Sequence, residues 1–323
     1  MNYFAVITPT VSAIIPAYNA ARTVGRAIES CLSQTCPPIE VLVVDDGSTD
    51  GTAKVVADFG AAVRLERKPN GGPAAARNYA AQFARGDWLG FLDADDLWLP
   101  RKLEKQLSLA ISDDVAIIQT LMRGSPDDQI PPEVFPPEVT FSQLWETNLV
   151  GTSSVLIRRS VFERLGGFNE DEQLISSEDY HLWMRVAAAG GRILTYPEPL
   201  TEWTRGGSLS TNLSAFGKAQ LHNVILIAAE IDLPAKSIRR KQLQIYDGNG
   251  RDALYQRDMP LARSQLAKAF RIKPSPRRAF LLAGSLLPVF AIICAGVGDN
   301  DHSSDWVRHQ GSSSSIVRRI ADQ

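Results

Sequence analysis

Asp93 and Asp95 stand two residues apart in the run DADD at 93–96. Carboxylates at that spacing in a turn can reach one hard cation, and oxygen ligands suit Mg²⁺ or Mn²⁺. A cation held there would act as a Lewis acid toward a diphosphate leaving group. The competing reading is a plain turn, because Asp readily bonds its own backbone. A second acidic pair, Glu178 and Asp179, opens a helical pattern over 178–189. Taken alone, such a pair complements the helix dipole. Two further polar clusters, PAYN at 16–19 and DDGSTDGT at 45–52, complete the set.

These clusters share one position relative to the elements around them. Val11–Pro16 (VSAIIP), Val41–Val44 (VLVV) and Trp88–Leu92 (WLGFL) are apolar runs, and each is followed by one of the polar clusters. Between the first two runs, Val24, Ala27, Ile28, Cys31 and Leu32 recur at helical spacing. This places Cys31 in the core. Asp50 can cap a helix carrying Val55, Val56 and Phe59, and Ala74–Phe83 reads as a third helix after Pro73. Apolar strands separated by helices predict an α/β fold, a mainly parallel, Rossmann-like sheet flanked by helices. Ligands in such sheets sit beyond the carboxyl ends of the strands, where the polar clusters are. Further along, 124–140 reads as a Pro-rich surface loop, Ser154–Ile157 and Ile193–Tyr196 as strands, and the chain from about 216 as helical. The segment 252–272 has the pattern of a single helix–turn–helix unit.

Composition narrows the classes. Of 323 residues, 44 % are hydrophobic and 22 % charged, values that exclude a disordered or collagenous chain. Three cysteines without close spacing exclude a disulfide scaffold and point to a reducing compartment. The four histidines are too dispersed for a zinc site. The N-terminus lacks the basic stretch of a signal peptide. The net charge of −2 hides an asymmetry: residues 1–235 carry 19 Lys and Arg against 29 Asp and Glu, whereas residues 236–278 carry 12 against 3. The acidic part argues against nucleic acid as a partner. The basic part precedes an uncharged run at 279–298, an order that fits an anionic membrane surface or a solvated helix face. That run is long enough to span a bilayer, but Gly284, Ser285 and Pro288 interrupt it. A span, a surface-lying helix and burial in the fold all remain open. The serine-rich tail, 299–323, reads as disordered.

VSAIIPAYNA at 11–20, VLVVDDGSTDGT at 41–52, NGGPAAARN at 70–78 and FLDADDLWLP at 91–100 occur in order. GGFNE at 166–170, SEDYHLWMRVAAAGG at 177–191 and EWTRGGSLST at 202–211 follow. Together they resemble a bacterial family 2 glycosyltransferase of the GT-A fold, over about residues 10–212. The resemblance implies an inverting, metal-dependent transfer of sugar from a nucleoside-diphosphate donor, UDP-linked, to an acceptor hydroxyl. The implied acceptor is a glycan or lipid-linked glycan, in cell-surface polysaccharide or glycolipid synthesis. In either membrane reading of 279–298, Arg277 and Arg278 keep the enzyme on the cytoplasmic side, at the inner face of the cell membrane.

Residue by residue, the resemblance implies that Pro16, Ala17, Tyr18 and Asn19 line the nucleobase side, with Tyr18 against the base. Asp46 accepts from base or ribose, Asn70 and Arg77 bind the diphosphate, and Asp93 contacts ribose or metal. Asp95 of the DxD motif ligates Mn²⁺ or Mg²⁺ directly. Asp179 is the general base and Glu178 its neighbour in the acceptor site. Of the other residues on that helix, Trp183 reads as core or sugar platform and His181 as exposed. Arg205 steadies the diphosphate, although Gly207 stands where a histidine is frequent in the family. The implied organisation is a catalytic domain at 1–215, a basic helical region at 216–278, the hydrophobic helix at 279–298 and the tail. Two alternatives stay open. A sugar nucleotidyltransferase would open with a Gly-rich, Arg-containing loop where PAYNAARTV stands, and a non-catalytic glycan-binding relative would have no need of Asp93, Asp95 and Asp179.

Overall fold

The computed structural model describes residues 9–124, 135–204 and 212–286. The chain divides into two compact units. The first takes the described parts of Met1–Leu144, Asn148–Glu172 and Glu178–Arg205. The second takes Trp145–Thr147, Gln173–Ser177 and the described part of Gly206–Gln323.

The first unit is built on one sheet. β1 (Val11–Ala17), β2 (Glu40–Asp45), β3 (Arg64–Arg67) and β4 (Trp88–Phe91) pair parallel in the order β3-β2-β1-β4. α1 (Val24–Leu32), α2 (Thr52–Ala57) and α3 (Gly72–Ala81) are the crossovers that parallel pairing requires. The other half of the sheet is mixed. β5 (Leu97–Trp98), β6 (Val115–Arg123), β7 (Glu138–Val139), β8 (Leu156–Arg158) and β9 (Arg192–Glu202) join it, with β8 antiparallel to both β4 and β6. β9 runs parallel to β6 and antiparallel to β5 and β7. α4 (Lys102–Leu107), α5 (Phe141–Glu146), α6 (Arg159–Arg164) and α7 (Glu178–Ala188) fall between these strands.

Val24, Ala27, Ile28 and Cys31 face the core as their spacing predicts, whereas Leu32 ends α1 facing solvent. The N-cap of α2 is Gly51 rather than Asp50; Asp50, one residue earlier, accepts from the Thr52 amide at 2.9 Å and the Ala21 amide at 3.1 Å and so fastens the start of α2 to the loop after β1. The segment 124–140 is not all loop, since β7 lies within it; 125–134 fall outside the described residues. The strand expected at 193–196 extends to Glu202, and the β6 partner that supports it has no counterpart in the sequence reading.

The second unit is helical. α8 (Leu213–Glu230), α9 (Ala235–Tyr255), α10 (Met259–Ile272) and α11 (Pro276–Gly284) follow one another. Leu213, Ala253, Leu254, Ala262 and Leu266 form their apolar centre. The helix–turn–helix pattern at 252–272 corresponds to the end of α9 and all of α10. The run 279–298 begins inside α11, and its part from 287 onward lies outside the described residues, as do Cys294 and the tail. Among the described residues no helix is long and apolar enough to cross a membrane.

Candidate functional site

The loops that leave β1 and β2 are bonded to each other. Asn19 has φ of 50°, a left-handed conformation that Asn tolerates. Its amide donates to Ser48 Oγ at 2.9 Å, and its side-chain oxygen accepts from the Thr49 amide at 2.9 Å. Ala20 N donates to Thr52 Oγ1 at 2.8 Å. Between them Tyr18 is left 53 % exposed just past the carboxyl end of β1, while Ala17 is buried and Pro16 pairs with Val44.

Asp45 and Asp46 are both buried, and their bonds differ. Asp45 accepts from the Ser48 amide at 2.8 Å and from Arg67 Nε at 3.0 Å. Asp46 accepts from Lys68 Nζ at 2.7 Å and from the amides of Gly71 and Gly72, at 3.0 and 2.8 Å. Both Asp46 oxygens therefore hold the NGG turn, which makes Asp46 a loop anchor in this structure. Gly47, at φ +79°, passes the same turn so closely that a Cβ would stand 2.8 Å from Asn70 N. Asn70 itself is exposed.

Arg77 of α3 is 4 % exposed. Nη2 donates to Asp93 Oδ1 at 2.7 Å and Nη1 to Glu178 Oε1 at 2.8 Å. Its guanidinium lies over the Phe168 ring, 5.3 Å from the centroid. Burial opposes its charge, but Asp93 and Glu178 outweigh that and raise the guanidinium pKa. The diphosphate role expected of Arg77 therefore meets terminal nitrogens already occupied by carboxylates. Phe168 comes from GGFNE, whose backbone bonds Asn78, the residue after Arg77: the Phe168 amide donates to Asn78 Oδ1 at 2.9 Å. Trp183 is fully buried edge-on to Phe168, and is core. His181 is buried too, not exposed, because position 181 falls on the face that α7 turns inward.

Asp179 accepts from Thr152 Oγ1 at 2.6 Å and from the Tyr180 amide at 2.6 Å. Burial, then the charge of Glu178, push its carboxyl up to about 6. Glu178 is nearly buried, and its second oxygen, Oε2, meets no hydrogen-bond donor. Asp93, by contrast, keeps 38 % of its side chain exposed. Asp95 is exposed as well; partial loss of water and the neighbouring Asp93 raise its carboxyl. Burial and Asp93 push Asp96 up to about 8. Asp96 accepts from the Thr204 amide at 2.9 Å, and Thr204 Oγ1 donates to the Asp95 carbonyl, so the end of β9 is tied to the aspartate turn.

The donor set suits a divalent cation. Asp95 and the free side of Asp93 are hard oxygen donors whose mutual repulsion a cation would relieve. Among the described residues no group of three or more His, Cys, Asp or Glu could hold an ion alone. Two carboxylates fit the way Mg²⁺ is usually held, completed by water and substrate phosphates.

The structure thus brings together Arg77, Asp93, Glu178 and Asp179, and gathers Tyr18, Asn19, Asp46 and Asn70 around linked loops. Arg205 lies outside the described residues. Three participants escaped the sequence reading. Lys68 neutralises Asp46, and Thr152 and Ser153 touch the candidate aspartates: Thr152 Oγ1 donates to Asp179 at 2.6 Å and the Asp93 amide to Ser153 Oγ at 3.1 Å. The one signal for the latter is GTSS at 151–154, a polar run set between apolar residues.

A family model described as Glycosyl transferase family 2 matches residues 12–166. The UDP-Glc:alpha-D-GlcNAc-diphosphoundecaprenol beta-1,3-glucosyltransferase WfgD of Escherichia coli is 33 % identical over 180 residues, 54 % of this chain and 69 % of that protein. Among solved structures, S. aureus TarS 1-349 in complex with UDP-GlcNAc aligns with a TM-score of 0.61 at 21 % identity, covering 88 % of each chain. Mannosyltransferase PcManGT from Pyrobaculum calidifontis, in complex with GDP-Man and Mn2+, aligns at 0.57 with 24 % identity, covering 92 % of this chain and 89 % of that one. The two structures share the fold seen here, a GT-A-type α/β sheet followed by helices. By its sequence, this chain belongs to glycosyl transferase family 2.

Proposed function

We propose that this glycosyltransferase moves a sugar from a UDP-linked donor to a hydroxyl of a lipid-linked glycan, with inversion at the anomeric carbon. One observation carries the reading: Arg77 bridges Asp93 of the donor-side turn and Glu178, the neighbour of Asp179. A donor-side carboxylate and the sequence neighbour of the base candidate thereby share one guanidinium. The donor class rests on WfgD, named for UDP-Glc, and on the TarS complex with UDP-GlcNAc. The acceptor class rests on the diphosphoundecaprenol-linked GlcNAc in the WfgD name.

Asp179 takes the proton of the acceptor hydroxyl as its oxygen bonds to the anomeric carbon. The bond from that carbon to the diphosphate oxygen breaks on the opposite face, and the electron pair leaves with UDP. A pKa near 6 keeps Asp179 ionised at neutral pH and close enough to the operating range to act as a base. Asp93 and Asp95 are the residues that would hold Mn²⁺ or Mg²⁺, which supplies charge neutralisation for the leaving diphosphate. Tyr18 gives the base a flat face, Asp46 fixes the loop carrying Asn70, and Asn70 and Arg205 meet the diphosphate. Residues 1–215 form the catalytic domain in this reading. The basic helices after it, with exposed Phe280 and Leu286, rest on the anionic inner face of the cell membrane.

The test is UDP release from UDP-glucose and UDP-GlcNAc, with a lipid-diphosphate-linked glycan as acceptor and either Mn²⁺ or EDTA present. Acceptor-dependent UDP release in Mn²⁺, lost in EDTA, is the expected result. Release of pyrophosphate from UTP and a sugar phosphate, without sugar transfer, would overturn it.

A further inference from the structure

The short segment Gly151–Ser154 between α5 and β8 reaches both halves of the site. Ser153 Oγ accepts from the Asp93 amide at 3.1 Å, and one residue earlier Thr152 Oγ1 donates to Asp179 Oδ2 at 2.6 Å. The segment is held from below. Trp98 Nε1 donates to the Ser153 carbonyl at 2.7 Å, and Gln106 Nε2 to the Ser154 carbonyl at 2.9 Å. Gly151 packs so tightly that a Cβ would stand 2.2 Å from Met122 Sδ. Thr152, Ser153 and Ser154 are all buried. The constrained backbone holds the Thr152 hydroxyl within reach of Asp179.

We propose that Thr152 is a positioning residue for sugar transfer, holding the Asp179 carboxylate at a fixed distance from the Asp93 turn through the rigid 151–154 strap. The inference rests on the reading of Asp179 as the base. Four groups act on that carboxylate: Glu178 beside it on α7, Arg77 from α3, the Tyr180 amide and the Thr152 hydroxyl. Glu178 and Arg77 act by charge and oppose each other, and the Tyr180 amide is fixed by the helix. Among the described residues, only Thr152 reaches Asp179 from another element with a hydrogen bond. Its hydroxyl favours the ionised form and fixes the orientation of the oxygen it binds.

The test compares Thr152→Val, which keeps the shape but loses the donor, with Thr152→Ser, which keeps the donor. The Asp179 titration is followed by ¹³C NMR of aspartate-labelled enzyme, with Asp179→Asn assigning the signal. In the same proteins, kcat and donor KM for transfer from UDP-glucose or UDP-GlcNAc are measured against pH. Thr152→Val should raise the Asp179 titration by about one pH unit, the weight of one hydrogen bond to a charged group. The acid limb of kcat should shift with it, while donor KM stays unchanged. Thr152→Ser should restore both. An unmoved titration in Thr152→Val, or a Ser variant as impaired as Val, overturns the positioning role. Full transfer activity in Asp179→Asn would instead overturn the base assignment on which it rests.

Discussion

Arg77 Nη1 donates to Glu178 Oε1 at 2.8 Å, joining residues 101 positions apart in the sequence. The same guanidinium binds Asp93 with its other terminal nitrogen, and both contacts are made by a side chain almost wholly shielded from water. A planar fork suits this bridge, because a lysine ammonium is a compact charge without the two parallel donors.

Arg77→Met should therefore destabilise the fold as well as silence it. Removing one partner of a buried ion pair costs about 3–5 kcal/mol, and the lower end applies because Asp93 is partly open to water. Urea denaturation should show the loss, and Arg77→Lys should recover only part of it. A Met variant with wild-type stability would mean that the bridge contributes nothing to folding.

Asp179→Asn should lower sugar transfer by roughly 10²–10⁴-fold, the usual worth of a general base. UDP binding, measured by calorimetry, should stay within a factor of two or so of wild type, about 0.4 kcal/mol. Product of inverted anomeric configuration is expected from the native enzyme.

The raised carboxyl of Asp179 also sets two opposite pH dependences. Its pKa is about 6 in the fold against an ordinary 3.8, so the native state binds the proton more tightly than the unfolded chain. Its contribution to stability is complete below about pH 4 and is lost as pH rises through about 6. Activity needs the ionised form and should rise through that same range. Asp179→Asn should accordingly be more stable, relative to wild type, at pH 8 than at pH 5. Denaturant midpoints at the two pH values check the sign.

Asp95→Ala should abolish the tightening of UDP binding by Mn²⁺ while leaving the thermal midpoint of the free protein unchanged. The residue is exposed, in a loop, and supports no core contact. Calorimetric titration of UDP with and without Mn²⁺ decides the matter, and an unchanged Mn²⁺ effect would remove Asp95 from the metal site.

Much of this was legible before the fold was known. In the parallel half β1, β2 and β4 announce themselves because each is a largely apolar run ending in a polar cluster, whereas β3, RLER at 64–67, carries no such pattern. The mixed half does not. β6 carries Gln119 and Thr120 in its middle, buried side chains that bond Thr195 and Thr201 of β9, and such pairs break the hydrophobic pattern that marks a strand. β5 and β7 are two residues each, too short to leave a period. Arg77 was visible as a site residue, but its partners were not, since Glu178 reaches it only through tertiary packing. Thr152 was marked only by the polar run GTSS at 151–154 between apolar residues.

The bonded loops after β1, β2 and β3 carry a consequence for the thermodynamics of nucleotide capture. Asn19, Asp46 and Lys68 join these turns into one hydrogen-bonded surface in the ligand-free chain. A receptor already ordered gives up little conformational entropy when its ligand arrives. Binding of the nucleotide to this face should thus carry a small entropic penalty, with the heat capacity change of surface burial rather than that of a folding loop.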